Sequence, residues 1–168
     1  MDPEAELAAA DLAARATALD TTRSFIVQAP AGSGKTELLI QRYLRLLATV
    51  DSPEEVLAIT FTVKAAAEMR LRVIRALQRA RDGHAPDSAH EKTTHAAAES
   101  VVRRSEQLGW KLVESPRRMR IQTLDAFSAG IARALPLSSG LGPPGRTVVD
   151  EEMQALHRAA AAATLDWL

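Results

Sequence analysis

An α/β fold, a parallel sheet flanked by helices, is predicted by three observations. Two short apolar runs, at residues 24–28 and 56–60, read as buried parallel strands. A glycine-rich turn at residues 32–34 joins the first run to a segment of helical periodicity. The apolar share is 46% and much of it is alanine, while aromatics are 4%, which favours helix over a large all-β core. The 168 residues suffice for one such domain with its own core.

Taken in order, residues 4–19 are alanine-rich and helical, with Leu7, Leu12 and Leu19 as the larger apolar residues. Asp20-Thr21-Thr22 breaks the pattern before the run Ser24-Phe25-Ile26-Val27-Gln28, the first expected strand. A helix at 35–48 places Leu38, Leu39, Tyr43, Leu46 and Leu47 on one face, and Asp51-Ser52-Pro53 ends it. The run at 56–60 is the second strand. A helix at 64–81 turns Ala66, Met69, Val73, Ile74 and Leu77 inward. A loop at 82–86 and a polar helix at 90–108 follow. Residues 118–123 form the third expected strand and 124–135 a helix. Residues 138–146 hold three glycines and two prolines and read as irregular. An alanine-rich helix covers 150–168. Strand, glycine turn, helix, strand, helix is the order of a parallel sheet with crossover helices.

Formal net charge is zero, so the overall balance announces no nucleic-acid partner. No cysteine is present, which excludes a disulfide frame and thiolate metal sites and accords with a cytoplasmic location. No run approaches the ~18 to 20 apolar residues of a membrane span, and the acidic start at Asp2 and Glu4 is unlike a secretory signal. His84, His90, His95 and His157 lack metal-ligand spacing and read as surface residues. Asp166-Trp167-Leu168 contains no helix stop, so the chain is expected to end inside a larger protein.

The chemistry concentrates in Ala29-Pro30-Ala31-Gly32-Ser33-Gly34-Lys35-Thr36. Between a strand and a helix, such a turn cradles phosphate. Gly32 and Gly34 supply backbone conformations closed to other residues, so that N–H groups point inward at phosphate oxygens. The helix starting near Lys35 adds its positive dipole end. Lys35 reaches the β- and γ-phosphates and the Thr36 hydroxyl ligates Mg²⁺, which makes ATP or a close relative the expected ligand. The strict pattern opens on glycine where this chain has Ala29. The plain alternative is a glycine turn that merely caps a helix.

The segments that follow narrow the family. Ala58-Ile59-Thr60-Phe61-Thr62-Val63-Lys64-Ala65-Ala66-Ala67-Glu68-Met69-Arg70 resembles motif Ia of superfamily 1 helicases of the UvrD/RecB type. Ala31 to Thr36 matches that family's motif I, and Arg120-Ile121-Gln122-Thr123-Leu124-Asp125-Ala126-Phe127 is similar to its next motif. The resemblance covers residues 11–150 or so and is closest to the RecB/AddA helicase-nuclease branch. It implies a P-loop NTPase (RecA-like) sheet, incomplete here. Residues 1–149 would be the N-terminal part of the ATP-binding motor domain and 150–168 the start of a helical insertion. It implies an ATP-dependent 3′-to-5′ DNA helicase using Mg²⁺ in double-strand-break repair, whose partners are single-stranded or duplex DNA and a second helicase-nuclease subunit. Thr60, Phe61, Thr62, Lys64, Thr123 and Phe127 would form its single-strand track.

The residues alone agree in part. Hydroxyls at the C-terminal end of a strand stand where open α/β sheets place ligands, and an aromatic ring there can stack on a base. Phe61 and Phe127 could equally be core residues. The six basic residues between Lys64 and Arg81 face either DNA or solvent, and a solvated face is the commoner outcome. The chain departs from the family at Val63, where asparagine is usual, and at Asp125, often histidine. No counterpart of the adenine-reading glutamine stands near residues 15–21.

Hydrolysis needs carboxylates as well as a phosphate grip. Val148-Val149-Asp150-Glu151 has only two apolar residues before its acids, which open a helix where carboxylates are stabilised anyway. This chain alone is therefore expected to bind nucleotide without unwinding DNA. A non-catalytic module for nucleotide and single-stranded DNA is the alternative. A small P-loop kinase would need an acceptor site and an arginine-bearing lid, which the sequence does not offer.

Overall fold

Among the described residues, 3–86, 88–135, 148 and 150–165, the computed structural model contains six α-helices and two strands. Helix α1 (Pro3–Ala18) precedes the glycine turn, and α2 (Lys35–Leu47) follows it. Strand β1 (Leu57–Thr60) leads into α3 (Val63–Arg81) and α4 (Ala89–Leu108); strand β2 (Arg120–Thr123) leads into α5 (Leu124–Ala134). Helix α6 (Asp150–Leu165) is the last element. The chain divides into two compact units, Met1–Phe127 and Ser128–Leu168. The expected irregular stretch at 138–146 and the end of the last helix at 166–168 lie outside the described residues.

The first unit is built on α2, α3 and α4. Ile40, Tyr43, Leu44 and Leu47 bury one stripe of α2, at the three- and four-residue spacing that keeps side chains on one helix face. Leu39, expected on that face, points out and is 52% exposed, because each residue turns the helix by about 100° and the stripe centres on Ile40 and Leu44. Ala66, Met69, Val73 and Leu77 supply the matching stripe of α3, and Ala97, Ala98 and Val101 that of α4. Thr62 starts α3: its Oγ1 accepts the Ala65 N–H at 3.1 Å, a cap worth about 1 kcal/mol.

The two strands pair in parallel, with Leu57 opposite Arg120 and Thr60 opposite Thr123. Parallel strands need a crossover, and α3 and α4 provide it. Ile121 and Met119 carry the sheet side of the core, which Trp110 and Leu112 close. Trp110 is 3% exposed and its indole N–H donates to the Asp51 carbonyl at 3.1 Å, so the one polar atom of a buried ring is satisfied.

One expected strand does not form. Residues 24–28 have no ladder, Ile26 is 99% exposed and Val27 is exposed as well. An apolar run states that a segment is to be buried, but a strand exists only where a neighbour offers a ladder. Among the described residues the two strands pair only with each other, and residues 24–28 join neither outer edge. The segment is instead held on α2 by Arg42, whose guanidinium donates to the carbonyls of Ala18 (2.7 Å), Asp20 (2.9 Å) and Arg23 (2.6 Å) and lies over the Phe25 ring at 5.2 Å.

An ion pair joins the turn before β1 to the turn before β2. Arg118 donates to both carboxylate oxygens of Glu54, at 2.7 and 3.1 Å, and to the Trp110 carbonyl at 3.1 Å. Hydrogen bonds from Arg118 and then from Ser52 pull the Glu54 carboxyl from its ordinary 4.5 down to about 2. A depressed carboxyl contributes stability above its unfolded-state value and loses it as pH falls through the folded value. The contribution is modest because Glu54 is half exposed and solvent screens the pair. Acid unfolding of the wild type should therefore show an extra loss of stability from about pH 4.5 to about 2. Arg118→Ala should flatten that part of the curve, as read by urea midpoints at a series of pH values.

In the second unit, α6 begins at Asp150 and Val148 before it is exposed. The acids at 150–152 thus open a helix, as the sequence indicates.

Candidate nucleotide site

Residues 29–36 form an open turn running into α2. Gly34 is the N-cap of α2 in a left-handed conformation, φ +80°, and Gly32 has φ +79°. A side chain at either position would be strained. A Cβ on Gly34 would also meet the Arg15 guanidinium at 3.4 Å. Helix geometry leaves the first N–H groups of any α-helix without intrahelical acceptors. The Glu37 and Leu38 N–H groups turn back to the Gly34 carbonyl at 3.1 and 3.2 Å. Those of Gly34, Lys35 and Thr36 find no acceptor among the described residues, and Gly34 has no side chain to cap them. The Ser33 hydroxyl is buried and unpartnered as well. These unsatisfied donors, with the positive end of α2, match the oxygens of a phosphate group.

Lys35 folds back across the turn, its ammonium donating to the carbonyls of Ala29 at 2.6 Å and Pro30 at 2.5 Å. Two neutral carbonyls are weak partners for an ammonium compared with a doubly charged phosphate. Thr36 is exposed and its hydroxyl makes no hydrogen bond among the described residues. No cluster of three or more metal-ligating side chains stands among the described residues. The exposed Thr36 hydroxyl could serve as one ligand of a Mg²⁺ ion, beside phosphate oxygens and water, which such ions commonly keep.

A cleft of about 220 Å³ opens beside the loop. Arg15, Phe25, Val27, Ser33 and Lys35 line it. Arg15 is not legible in the sequence as a site residue. Held by Asp11 at 2.7 Å, it donates to the Ser33 carbonyl at 2.5 Å and so ties α1 to the loop. The one hint in the sequence is an Asp–Arg pair four residues apart in an otherwise alanine-rich helix.

The strand-end candidates come together at one edge. Parallel register sets Thr60 beside Thr123 at the C-terminal ends of β1 and β2, and Phe61, Thr62 and Lys64 continue directly from Thr60. Phe61 is 94% exposed, so it is no core residue here; Phe127, one turn into α5, is half-buried. Thr60 donates to the Thr62 carbonyl at 3.0 Å, and Thr123 accepts the Ala126 N–H at 3.1 Å. Thr62 and Thr123 thus cap helices, with their hydroxyl hydrogens left to donate elsewhere.

Most of the basic run on α3 is engaged within the chain. Arg70 donates to the Ile121 carbonyl. Arg72 faces Glu37 at 3.4 Å, Arg79 faces Glu91 at 3.6 Å and Arg81 faces Glu114 at 3.0 Å. Lys64 and Arg75 are exposed and unpaired among the described residues. A continuous basic stripe is therefore not what α3 presents. His95, expected on the surface, is largely covered and lies 3.5 Å from Glu99.

Residues 11–157 match the UvrD/REP helicase N-terminal domain. This chain belongs to the UvrD/REP helicase family. Similar proteins include the AddA-type ATP-dependent helicase/nuclease subunit of Levilactobacillus brevis, 33% identical over 138 residues, 82% of this chain and 10% of the relative. The protein of the same name from Lactobacillus acidophilus is 30% identical over 142 residues, 84% of this chain and 10% of the relative. That from Desulfitobacterium hafniense is 44% identical over 75 residues, 43% of this chain and 5% of the relative. The chain spans about a tenth of the length of the first two relatives. No solved structure matches. The match to the UvrD/REP domain covers the glycine turn, both strands and the whole of α3. No helix among the described residues is long and apolar enough to cross a membrane.

Proposed function

We propose that this chain is the nucleotide-gripping N-terminal portion of an ATP-dependent DNA helicase of the UvrD/RecB type, with ATP and Mg²⁺ as ligands. The observation that carries it is the left-handed Gly34 cap, with unpaired N–H groups at the start of α2 and Lys35 beside them. Lys35 and Thr36 contact the terminal phosphates and the metal. Ala29 to Gly34 wrap the rest of the polyphosphate. Family membership supports a P-loop sheet, completed by strands beyond β1 and β2, with 1–149 in the motor domain and 150–168 opening a helical insertion. It supports 3′-to-5′ polarity, a role in double-strand-break repair and a cytoplasmic location. The relatives' names support partnership with a second helicase-nuclease subunit.

Thr60, Phe61, Thr62, Lys64, Thr123 and Phe127 form the DNA track. Their convergence at one strand edge, with an exposed aromatic ring among them, supports this reading. A stacked base is worth about 1–3 kcal/mol, so Phe61→Ala should weaken oligothymidine binding by about five- to a hundredfold. Fluorescence anisotropy reads this, and unchanged affinity would remove Phe61 from the track.

Taken alone, the chain binds nucleotide without turnover. Among the described residues, the carboxylates beside the loop are engaged elsewhere: Glu37 with Thr94 and Arg72, and Asp11 with Arg15. This also keeps the non-catalytic binding module in view. Titration with a fluorescent ATP analogue, with phosphate release recorded with and without oligothymidine, tests binding without turnover. Binding without release fits either reading of this chain. DNA-stimulated release would mean that a working carboxylate is present.

A further inference from the structure

We propose that Glu37 is a positioning residue through which α3 ties the strand-end segment to the phosphate loop, an inference that rests on nucleotide and single-stranded DNA being the ligands. Glu37 is the third residue of α2, directly after Lys35 and Thr36. A glutamate there ordinarily reaches back to cap the N–H at the helix start. Here it does not, and the Gly34 N–H is left open. The carboxylate points sideways instead and is 18% exposed. One oxygen accepts the Thr94 hydroxyl of α4 at 2.7 Å; the other faces the Arg72 guanidinium of α3 at 3.4 Å. Thr94 is itself fixed, accepting from Gln41 at 3.0 Å, and Gln41 is 4% exposed.

The two contacts differ in kind. The one to Thr94 is short, half-buried and part of a network. The one to Arg72 is longer, and the arginine is 41% exposed. A cavity of about 500 Å³, lined by Gly34, Glu37, Arg72, Thr94 and His95 among others, lies beside them. Arg72 therefore has room to leave Glu37 or close on it while Thr94 holds the carboxylate from the other side.

The rest of α3 gives this contact its use. The helix starts at Thr62, inside the strand-end cluster, and Arg70 holds the Ile121 carbonyl, two residues before Thr123. Arg72 is about 10 Å along the axis from Ala65, at 1.5 Å per residue. One rigid element thus follows directly from the end of β1, holds β2 through Arg70 and, through Arg72, meets the first turn of the phosphate helix. A strand seated at Thr60–Lys64 that shifts α3 changes the Arg72–Glu37 contact and with it the set of the Lys35 and Thr36 N–H groups. By linkage, nucleotide at the loop acts on the strand site by the same factor.

The test is a coupling ratio: the affinity of the chain for a fluorescent ATP analogue with saturating oligothymidine, divided by that without it. The expected wild-type ratio departs from one by about fivefold or more, the ordinary range for coupled sites. Arg72→Gln and the near-isosteric Glu37→Gln should bring it within about twofold of one, whatever their nucleotide affinity without DNA, whereas Arg72→Lys should retain coupling. Thermal melting identifies a variant that misfolds, and the two glutamine variants serve as checks on each other. A wild-type ratio of one with both ligands bound, or a full ratio in both glutamine variants, overturns the proposal and leaves the functional reading intact. Failure of the wild type to bind either ligand overturns the functional reading and this proposal with it.

Discussion

Lys35→Ala should lower affinity for the ATP analogue by about ten- to a hundredfold, since hydrogen bonds to charged groups contribute about 1.5–3 kcal/mol and each 1.4 kcal/mol is tenfold. The lysine is the one side-chain cation seated in the turn itself, with its ammonium on the Ala29 and Pro30 carbonyls. In the proposed function, phosphate binding exchanges those neutral partners for charged oxygens, and alanine removes that gain altogether. The carbonyls it leaves stand at an open loop where water replaces the lysine, so the fold loses little. Melting temperature should therefore stay close to wild type while the titration curve shifts. A curve that does not move would leave only a glycine turn capping α2, and the nucleotide reading would go with it.

Trp110→Ala should produce the largest loss of stability, about 3–5 kcal/mol, the usual cost of truncating a buried large aromatic side chain. Trp110 fills the gap between the end of α4 and the strands, at 3% exposure. It also satisfies the Asp51 carbonyl through its indole N–H, and its own carbonyl accepts from Arg118. Removing the ring opens a cavity and leaves the Asp51 carbonyl dependent on water. Urea unfolding followed by circular dichroism should show a lower midpoint with an unchanged slope, the sign of lost stability without a change in the unfolded state. A loss of stability below about 1 kcal/mol, the midpoint shift multiplied by the slope, would mean that the core collapses around the gap.

The helices are legible because their information is local. Met69, Val73 and Leu77 recur at the helical period, and Thr62 stands where a cap is needed, so the sequence places α3 to within a residue of its start. Leu39 falls on the wrong face because the expected stripe of Leu38, Leu39, Tyr43, Leu46 and Leu47 leaves out Ile40 and Leu44, which with Tyr43 and Leu47 define the buried face. The glycine turn is legible for a stronger reason. Phosphate geometry requires particular residues at fixed spacing, and few other demands select glycine, lysine and threonine together.

Residues 24–28 show the limit of that reading. Phe25, Ile26 and Val27 have a strand's composition, but pairing is a property of two segments and the sequence of one does not name the other. Glu37 and Arg15 show it again. In sequence each is an ordinary charge on a helix, and only packing brings Arg15 to the Ser33 carbonyl and Glu37 between Thr94 and Arg72. The basic run on α3 is ambiguous for the same cause: whether an arginine faces a glutamate or solvent depends on residues 35 or 12 positions away, as for Arg72 with Glu37 and Arg79 with Glu91.

By itself, then, the sequence determined what short-range physics dictates: the order and extent of the helices, the glycine turn with Lys35 and Thr36, and the motif spacing that places the chain among UvrD/REP helicases. Tertiary structure alone decided which strands pair, that Phe61 faces outward, and which charges around the loop are already engaged. Backbone preference and helical period act over a few residues and are written locally. Ladders, long-range ion pairs and clefts form between segments tens of residues apart, and exist only once the chain has folded them together.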